Sequence, residues 1–225
     1  MAEMIKYCLH PDVEAFTAGR DCPLPCPVVQ SHQVHQVTVA RIDRPDVSRE
    51  ELEGYDALVT NVPGVCIGVR TADCIPILIY DPVKKAAAAV HSGWRGTVMK
   101  ICEKALVRMS IEYGTNASDV VAVIGPGICA DCFQVGEEVA TEFRNAGFDM
   151  EKIWSFRGPR TEGSIAGGHH IDLVEACRLT LIACGVAPKN IRIESVCTYE
   201  HTESLYSARK EGAACGRNIN AIRIV

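Results

Sequence analysis

Three apolar runs in the middle of the chain show no alternation of polar and apolar positions: Val65 to Val69, Ile75 to Tyr80 and Ala86 to Val90. Runs of this length read as strands buried on both faces. The first leads into Thr71-Ala72-Asp73-Cys74 and the third into His91-Ser92-Gly93-Trp94-Arg95-Gly96. Core strands have no need of such polar ends, and reactive groups gather where strands stop and loops begin. Beyond them the period changes. Val98, Ile101, Cys102, Ala105, Leu106 and Met109 mark one face of a 3.6-residue repeat, which predicts a helix over Thr97 to Tyr113 with Gly114 as its stop. Val120 to Gly125 reads as a short buried strand, and Val135 to Ala146 as a second helix closed by Gly147. A third helix is expected over Asp172 to Cys184, with Asp172 and Glu175 as a capping box and Gly185 as terminator.

Both ends are less regular. Residues 1–27 carry one possible strand, Ile5 to Leu9, then a loop marked by Gly19, Pro23, Pro25 and Pro27. Val28 to Ile42 is β-rich, Arg41 to Glu53 is a charged surface connection, and Phe156 to His170 is glycine-rich and reads as a mobile loop. Short strands are expected at Ile191 to Ile193, Ser195 to Tyr199, Leu205 to Ser207 and Ala221 to Val225. Strands alternating with amphipathic helices predict an α/β protein, a three-layer α/β/α domain with a mixed sheet spanning residues 1–225.

Composition narrows the partners. With 48% hydrophobic and 23% charged residues and a net charge of −5, the 225-residue chain has the profile of a globular protein. Its Lys and Arg are scattered, which argues against nucleic acid. No apolar run approaches the ~20 residues of a membrane span, and the N-terminus lacks a secretory pattern, so a cytoplasmic protein is expected. Twelve cysteines are many for such a chain. Cys102, Cys177 and Cys184 fall in step with helix faces and read as small core hydrophobes. The C-x3-C pair Cys22/Cys26 and the C-x2-C pair Cys129/Cys132 admit a four-thiolate structural zinc, although free thiols in loops are the preferred reading.

The candidate chemistry lies in His35, Cys74 and His91, 39 and 17 residues apart. Two His and one Cys make three protein ligands and leave a fourth position open, the catalytic arrangement for zinc. An ion so held activates a water or polarises an acceptor oxygen. On spacing alone, a hydrogen-bonded core histidine and a small apolar cysteine remain the competing reading.

The strings TADCIPILIYDP, AVHSGWRG, IGPGICADCFQVGEEV, IDLVEACRLTLIACGV and CTYEHTESLYSARKEGAACGRNINAIRI occur in this order. Together they closely resemble the laccase-domain family, also known as multicopper polyphenol oxidase or purine nucleoside phosphorylase, over roughly residues 28 to 225. The resemblance implies a mixed-sheet fold akin to that of putative cysteine hydrolases and the cytotoxic necrotizing factor deamidase. It implies a zinc bound by the His of Gln33-Val34-His35, by Cys74 and by His91, with His32 the competing first ligand. The implied activities are phosphorolysis of adenosine, inosine, guanosine and methylthioadenosine and deamination of adenosine, with purine nucleosides and inorganic phosphate as partners. On that reading Asp73 shuttles a proton, or else orients His91 or caps a turn. Arg95, before the expected helix, anchors phosphate or ribose, the alternative being a structural Arg paired to an acid. Arg209 is the second basic candidate. Lys210 stands where the family commonly has Arg, and Lys lacks the two-pronged geometry of a guanidinium. Phe16-Thr17-Ala18-Gly19-Arg20 stands where the family shows a string with a double Gly, which makes Arg20 a substitute for the family's arginine.

Three other classes are compatible with these residues. Copper at the same three ligands would suit a polyphenol oxidase, although seven His without His-x-His strings do not make a multicopper cluster. Cys74 as nucleophile with His91 as base would make an amidohydrolase, a class that the family links to cell-wall peptide editing. A non-catalytic binding domain would need an exposed apolar stripe, and none is evident. The sequence leaves the oligomeric state open.

Overall fold

The structure, a computed structural model, describes residues 4–157 and 167–225. Its strands are β1 (Ile5–Tyr7), β2 (Val13–Ala18), β3 (Val29–Gln30), β4 (Val39–Arg41), β5 (Ala57–Thr60), β6 (Cys66–Thr71), β7 (Ile75–Asp81) and β8 (Ala86–Ser92), followed by β9 (Val121–Ile124), β10 (Gln134–Val135), β11 (Trp154–Arg157), β12 (Gly168–Ile171), β13 (Ile191–Ile193) and β14 (Asn218–Ile224). Its helices are α1 (Trp94–Val98), α2 (Ile101–Tyr113), α3 (Glu137–Asn145), α4 (Met150–Ile153), α5 (Leu173–Ala183) and α6 (Ala208–Glu211).

Every residue of β7 and β8 is buried, as expected of runs without alternation. They are the middle of a mixed six-stranded sheet ordered β13-β9-β7-β8-β5-β4. On one face Ile75, Ile77, Ile79, Ala88 and Val90 meet α2, α3 and α5. On the other, Leu78, Tyr80, Ala87 and Ala89 pack against Val13, Ala15, Ile67, Val69, Ile222 and Ile224. Those residues belong to a second mixed sheet, ordered β1-β2-β14-β6-β3. The alanines of β8 carry the smallest side chains that still exclude water, so the layers on both sides approach closely.

The layering is therefore helix, sheet, sheet, and the expected α/β/α sandwich is corrected. The three helices longer than one or two turns all contribute to the same core. That leaves the opposite face of the central sheet to be covered by strands. Residues 1–27, expected to be irregular, supply two of them: β2 runs antiparallel along β14 for six residues, and β1 pairs with β2. The outer face of this second sheet is covered by the segment carrying Cys22, Cys26 and Val28.

Other boundaries moved for local reasons. The first expected helix is broken after Val98. Thr97 Oγ1 bonds Gly93 O (3.0 Å) and Ser92 Oγ (2.8 Å), tying α1 to the end of β8, and Lys100 takes a left-handed conformation (φ 60°) before α2 begins. Asp172 caps α5 by accepting from Glu175 N, while the Glu175 carboxylate turns to Arg178 and leaves the box half made. Ser195 to Tyr199 and Leu205 to Ser207 are not strands; the first makes an isolated Gly127–Cys197 bridge. Of the stretch expected as a loop from Phe156 to His170, the ends belong to β11 and β12 and residues 158–166 lie outside the described residues. Among the described residues, no helix is long and apolar enough to cross a membrane.

Candidate metal centre

Hairpin register assembles the site. β7 and β8 pair antiparallel with Pro76 opposite His91 and Ile75 opposite Ser92, so Cys74 and His91 arrive at one end of the sheet. β5 continues the register on the far side of β8, where His91 N donates to Asp56 O at 2.8 Å. The third member, His35, comes from the loop between β3 and β4, the centre of the region expected to be β-rich. That loop is shaped by two side chains. Gln33 pairs its amide with the Arg70 backbone, donating to Arg70 O and accepting from Arg70 N, both at 2.8 Å. Asp56, with no exposed surface, accepts from Val34 N (3.1 Å), His35 N (2.9 Å) and Gln36 N (2.8 Å), and its Oδ1 lies 2.7 Å from His91 Nδ1. His35 is left-handed (φ 61°), as is Asp73 beside Cys74 (φ 83°). Two such residues at one site are strain that the surrounding contacts must hold.

The ligand atoms of His35, Cys74 and His91 lie within 4.8 Å of one another. Sequence spacing did not single out Asp56, which binds the loop of one histidine and the ring of the other. A buried acid at the mouth of an apolar strand was its only signal. By holding Nδ1 of His91, the carboxylate leaves Nε2 free for the centre, the usual support of a metal-bound imidazole. Gly93 is the other. A Cβ there would come within 2.9 Å of His35 Cδ2 and 3.0 Å of Cys74 Sγ, so glycine keeps the space between the ligands open. A His2Cys set with an acid-held imidazole and a cleared centre fits a zinc or copper ion.

The electrostatics favour charged forms. Burial works against the Cys74 thiolate, but the His91 charge and the hydrogen bond from His35 outweigh it and bring the thiol down to about 6. Burial likewise disfavours a cationic His91, yet Cys74 and Asp56 push it up to about 9. His91 and the backbone N–H groups of Gln36 and Val34 hold the buried Asp56 carboxyl below the ordinary range in spite of its desolvation.

The three residues open onto a cavity of about 730 Å³, also lined by Asp73, Phe133, Arg209 and three further arginines, Arg49, Arg70 and Arg217. Asp73 is buried, accepting from Thr198 Oγ1 (2.7 Å) and from Arg209 N (2.6 Å). The role of orienting His91, one of those considered for Asp73, falls to Asp56. Arg209 reaches Gln134 O (2.9 Å) and lies over Phe133. Arg95 is on an exposed turn of α1, stacked on Trp94, and is not on the cavity wall. Arg20 is likewise off the wall: it pairs with Glu211 (2.5 Å) and lies over Tyr206. Lys210 bonds Tyr199 O. His32, the competing first ligand, is 2.5 Å from Glu53 and outside the donor group.

Arg49, Arg70 and Arg217 went unnoticed in the sequence. Arg49 donates to Ser31 O, and Arg217 donates to Ala213, Cys215 and Gly216 O and to the Cys215 sulfur. Burial first, then repulsion from Arg49 and Arg217, lowers the Arg70 pKa. Three cations that meet no carboxylate among the described residues, on a wall whose one acid is Asp73, make a site for an anion.

Known proteins share this chain's sequence and fold. A purine nucleoside phosphorylase of Bacteroides thetaiotaomicron is 44% identical over 199 residues, covering 87% of this chain and 72% of the relative. A protein named adenosine deaminase RL5, from an unknown prokaryote, is 42% identical over 202 residues, 87% of this chain and 74% of its own. The crystal structure of the Bacillus licheniformis hypothetical protein YfiH superposes with a TM-score of 0.78 at 28% identity, over 88% of this chain and 74% of that one. The family described as multi-copper polyphenol oxidoreductase laccase matches residues 16–225, and the chain belongs to it.

Proposed function

We propose that this chain is a metal-dependent purine nucleoside enzyme that phosphorolyses adenosine, inosine, guanosine and methylthioadenosine to base and pentose 1-phosphate and deaminates adenosine. One observation carries the reading: the His35, Cys74 and His91 donors and the arginines Arg49, Arg70 and Arg217 line the same cavity, whose volume suits a nucleoside with phosphate. Relatives named for both activities support it. Arg49, Arg70 and Arg217 hold the phosphate, whose charge they neutralise on binding. Arg209 steadies the sugar or phosphate beside them. Asp73, fixed by Thr198 and by the Arg209 backbone, takes or returns the proton that the departing purine or ammonia requires. Zinc at His35, Cys74 and His91 supplies a Lewis acid. Asp56 keeps the His91 ring in the orientation that binding needs.

Product chromatography tests this. Metal-quantified protein is incubated with adenosine, with and without phosphate, and with a chelator. Adenine and ribose 1-phosphate are expected only with phosphate, inosine regardless of it, and neither after chelation. No turnover of any nucleoside by folded, zinc-loaded protein would sink the proposal.

A second reading has its own observation. Cys74, His91 and Asp56 also form a Cys-His-Asp array, with the thiol already lowered toward a thiolate, as an amidohydrolase requires. Activity on amide substrates that survives complete metal removal would favour it. Copper in place of zinc, with oxidation of phenols, is decided by metal content at physiological loading.

A further inference from the structure

The two cysteine pairs singled out in the sequence do not meet. Cys22 and Cys26 pack with Cys66 on the outer face of the second sheet. Cys129 and Cys132 instead meet Cys197, and the three sulfurs lie within 4.8 Å of one another. Backbone contacts build this cluster. The C-x2-C segment is a tight turn in which Cys132 N and Phe133 N both donate to Cys129 O, at 3.1 and 3.0 Å. Cys197 is brought alongside by its bridge to Gly127 and by Thr198 N donating to Gly127 O at 3.0 Å. Its sulfur accepts Cys129 N at 3.3 Å, a hydrogen bond that favours a thiolate. Nearby, Glu200 Oε1 is 3.9 Å from Cys132 Sγ. All three cysteines are free thiols.

We infer that Cys129, Cys132 and Cys197 form a second metal site, separate from the centre at His35, Cys74 and His91, for a thiophilic d10 cation, Zn2+ or Cu+. Three sulfurs around one point are the start of a tetrahedron. At Zn–S ≈ 2.3 Å, tetrahedral thiolates stand about 3.8 Å apart, so closure needs a contraction of about 1 Å at most. Glu200 or a water completes the zinc set, whereas Cu+ is satisfied by three thiolates. Binding releases to solvent whatever protons the thiols still carry. The consequence is structural. The turn carries Ile128 and Phe133 to the cavity wall, and the other segment carries Thr198, the donor to Asp73. An ion here clamps both behind the active cavity.

The test is metal stoichiometry on the full chain. Apoprotein prepared under reducing, anaerobic conditions is loaded with Zn2+, desalted and analysed by mass spectrometry. Two zinc ions per chain are expected for the wild type, and one each for Cys132→Ser and for the double variant His35→Ala/His91→Ala. In that double variant Co2+ should show thiolate-to-cobalt charge transfer of three-sulfur intensity. Anaerobic competition between Zn2+ and Cu+ for the same variant decides which cation the site takes. To keep the test independent of how a serine variant folds, the wild type is also alkylated with and without Zn2+ and its peptides mapped. Protection of Cys129, Cys132 and Cys197 together supports the site. A single zinc per chain that Cys132→Ser leaves unchanged would overturn it. So would equal alkylation of the three with and without metal, or a disulfide among them in the anaerobic protein.

Discussion

Asp56 shows how much one buried carboxylate can organise. Its two oxygens take three backbone N–H groups from the loop of His35 and the ring nitrogen of His91. Removing it with Ala would strand one buried donor, the His91 ring, and three part-buried backbone N–H groups, the buried one alone at about 1–3 kcal/mol. Asn keeps the shape and one acceptor oxygen. Asp56→Asn is therefore expected to stay folded by circular dichroism while zinc affinity, read by competition with a chromophoric chelator, falls about 10–100-fold. Unchanged affinity would mean that Asp56 only shapes the loop. Cys74 gives a second test at this scale, in metal-free protein. A thiol lowered to about 6 is mostly thiolate at pH 7, so its alkylation rate, followed by peptide mass spectrometry, should rise through about pH 6 and then level off. The sign follows from the cause: His91 outweighs burial, so His91→Ala must move the midpoint upward. A wild-type midpoint at the ordinary thiol value of ~8.5 would show that the pair is not ionised.

The centre depends on where elements end as well as on which residues they hold. Gly93 joins β8 to α1 with ordinary backbone angles (φ −69°, ψ 168°), so alanine is no burden to the chain itself. Its methyl, however, would crowd His35 and Cys74. Gly93→Ala should leave the melting temperature of the apoprotein nearly unchanged and weaken zinc binding at least about tenfold, since small misplacements of ligands cost that much. Equal zinc affinity would show that the ligands have room to spare. The elements nearest this glycine were legible in the sequence. Ile75 to Tyr80 and Ala86 to Val90 are buried on both faces and read that way, and Met109, Ala105 and Ile101 kept their period through the break at Lys100. The N-terminal strands were not legible. Val13-Glu14-Ala15 alternates too briefly to announce a strand, and what makes β2 is pairing with β14, more than 200 residues away in the chain. The sheet-on-sheet layering was hidden for the same reason. Periodicity reports that a face is buried, not what covers it.

At the scale of the whole molecule, the cavity joins segments that no local pattern connects. Arg49 comes from a stretch that reads as a charged surface connection, Arg70 from the end of β6 and Arg217 from the residue before β14. Each looks like an ordinary surface cation in sequence, and only the fold reveals that they converge. Convergence has a cost that can be measured. Burial and its two neighbours disfavour the Arg70 charge in the folded chain, so without an anion the guanidinium opposes folding. Arg70→Met keeps the aliphatic bulk and removes the charge. In phosphate-free buffer this variant should melt no lower than the wild type, and at higher temperature if repulsion dominates. Phosphate should then reverse the order. A ligand at 100 times its Kd stabilises the wild type by about 2.7 kcal/mol. Loss of a charged hydrogen bond, about 1.5–3 kcal/mol, weakens phosphate binding by roughly 10–100-fold and removes about half of that gain or more at the same concentration. Thermal melts across a phosphate titration read both effects at once, and the KM for phosphate should rise by the same factor. A phosphate-induced shift equal to that of the wild type would place the anion elsewhere and leave these three arginines without a ligand to explain them.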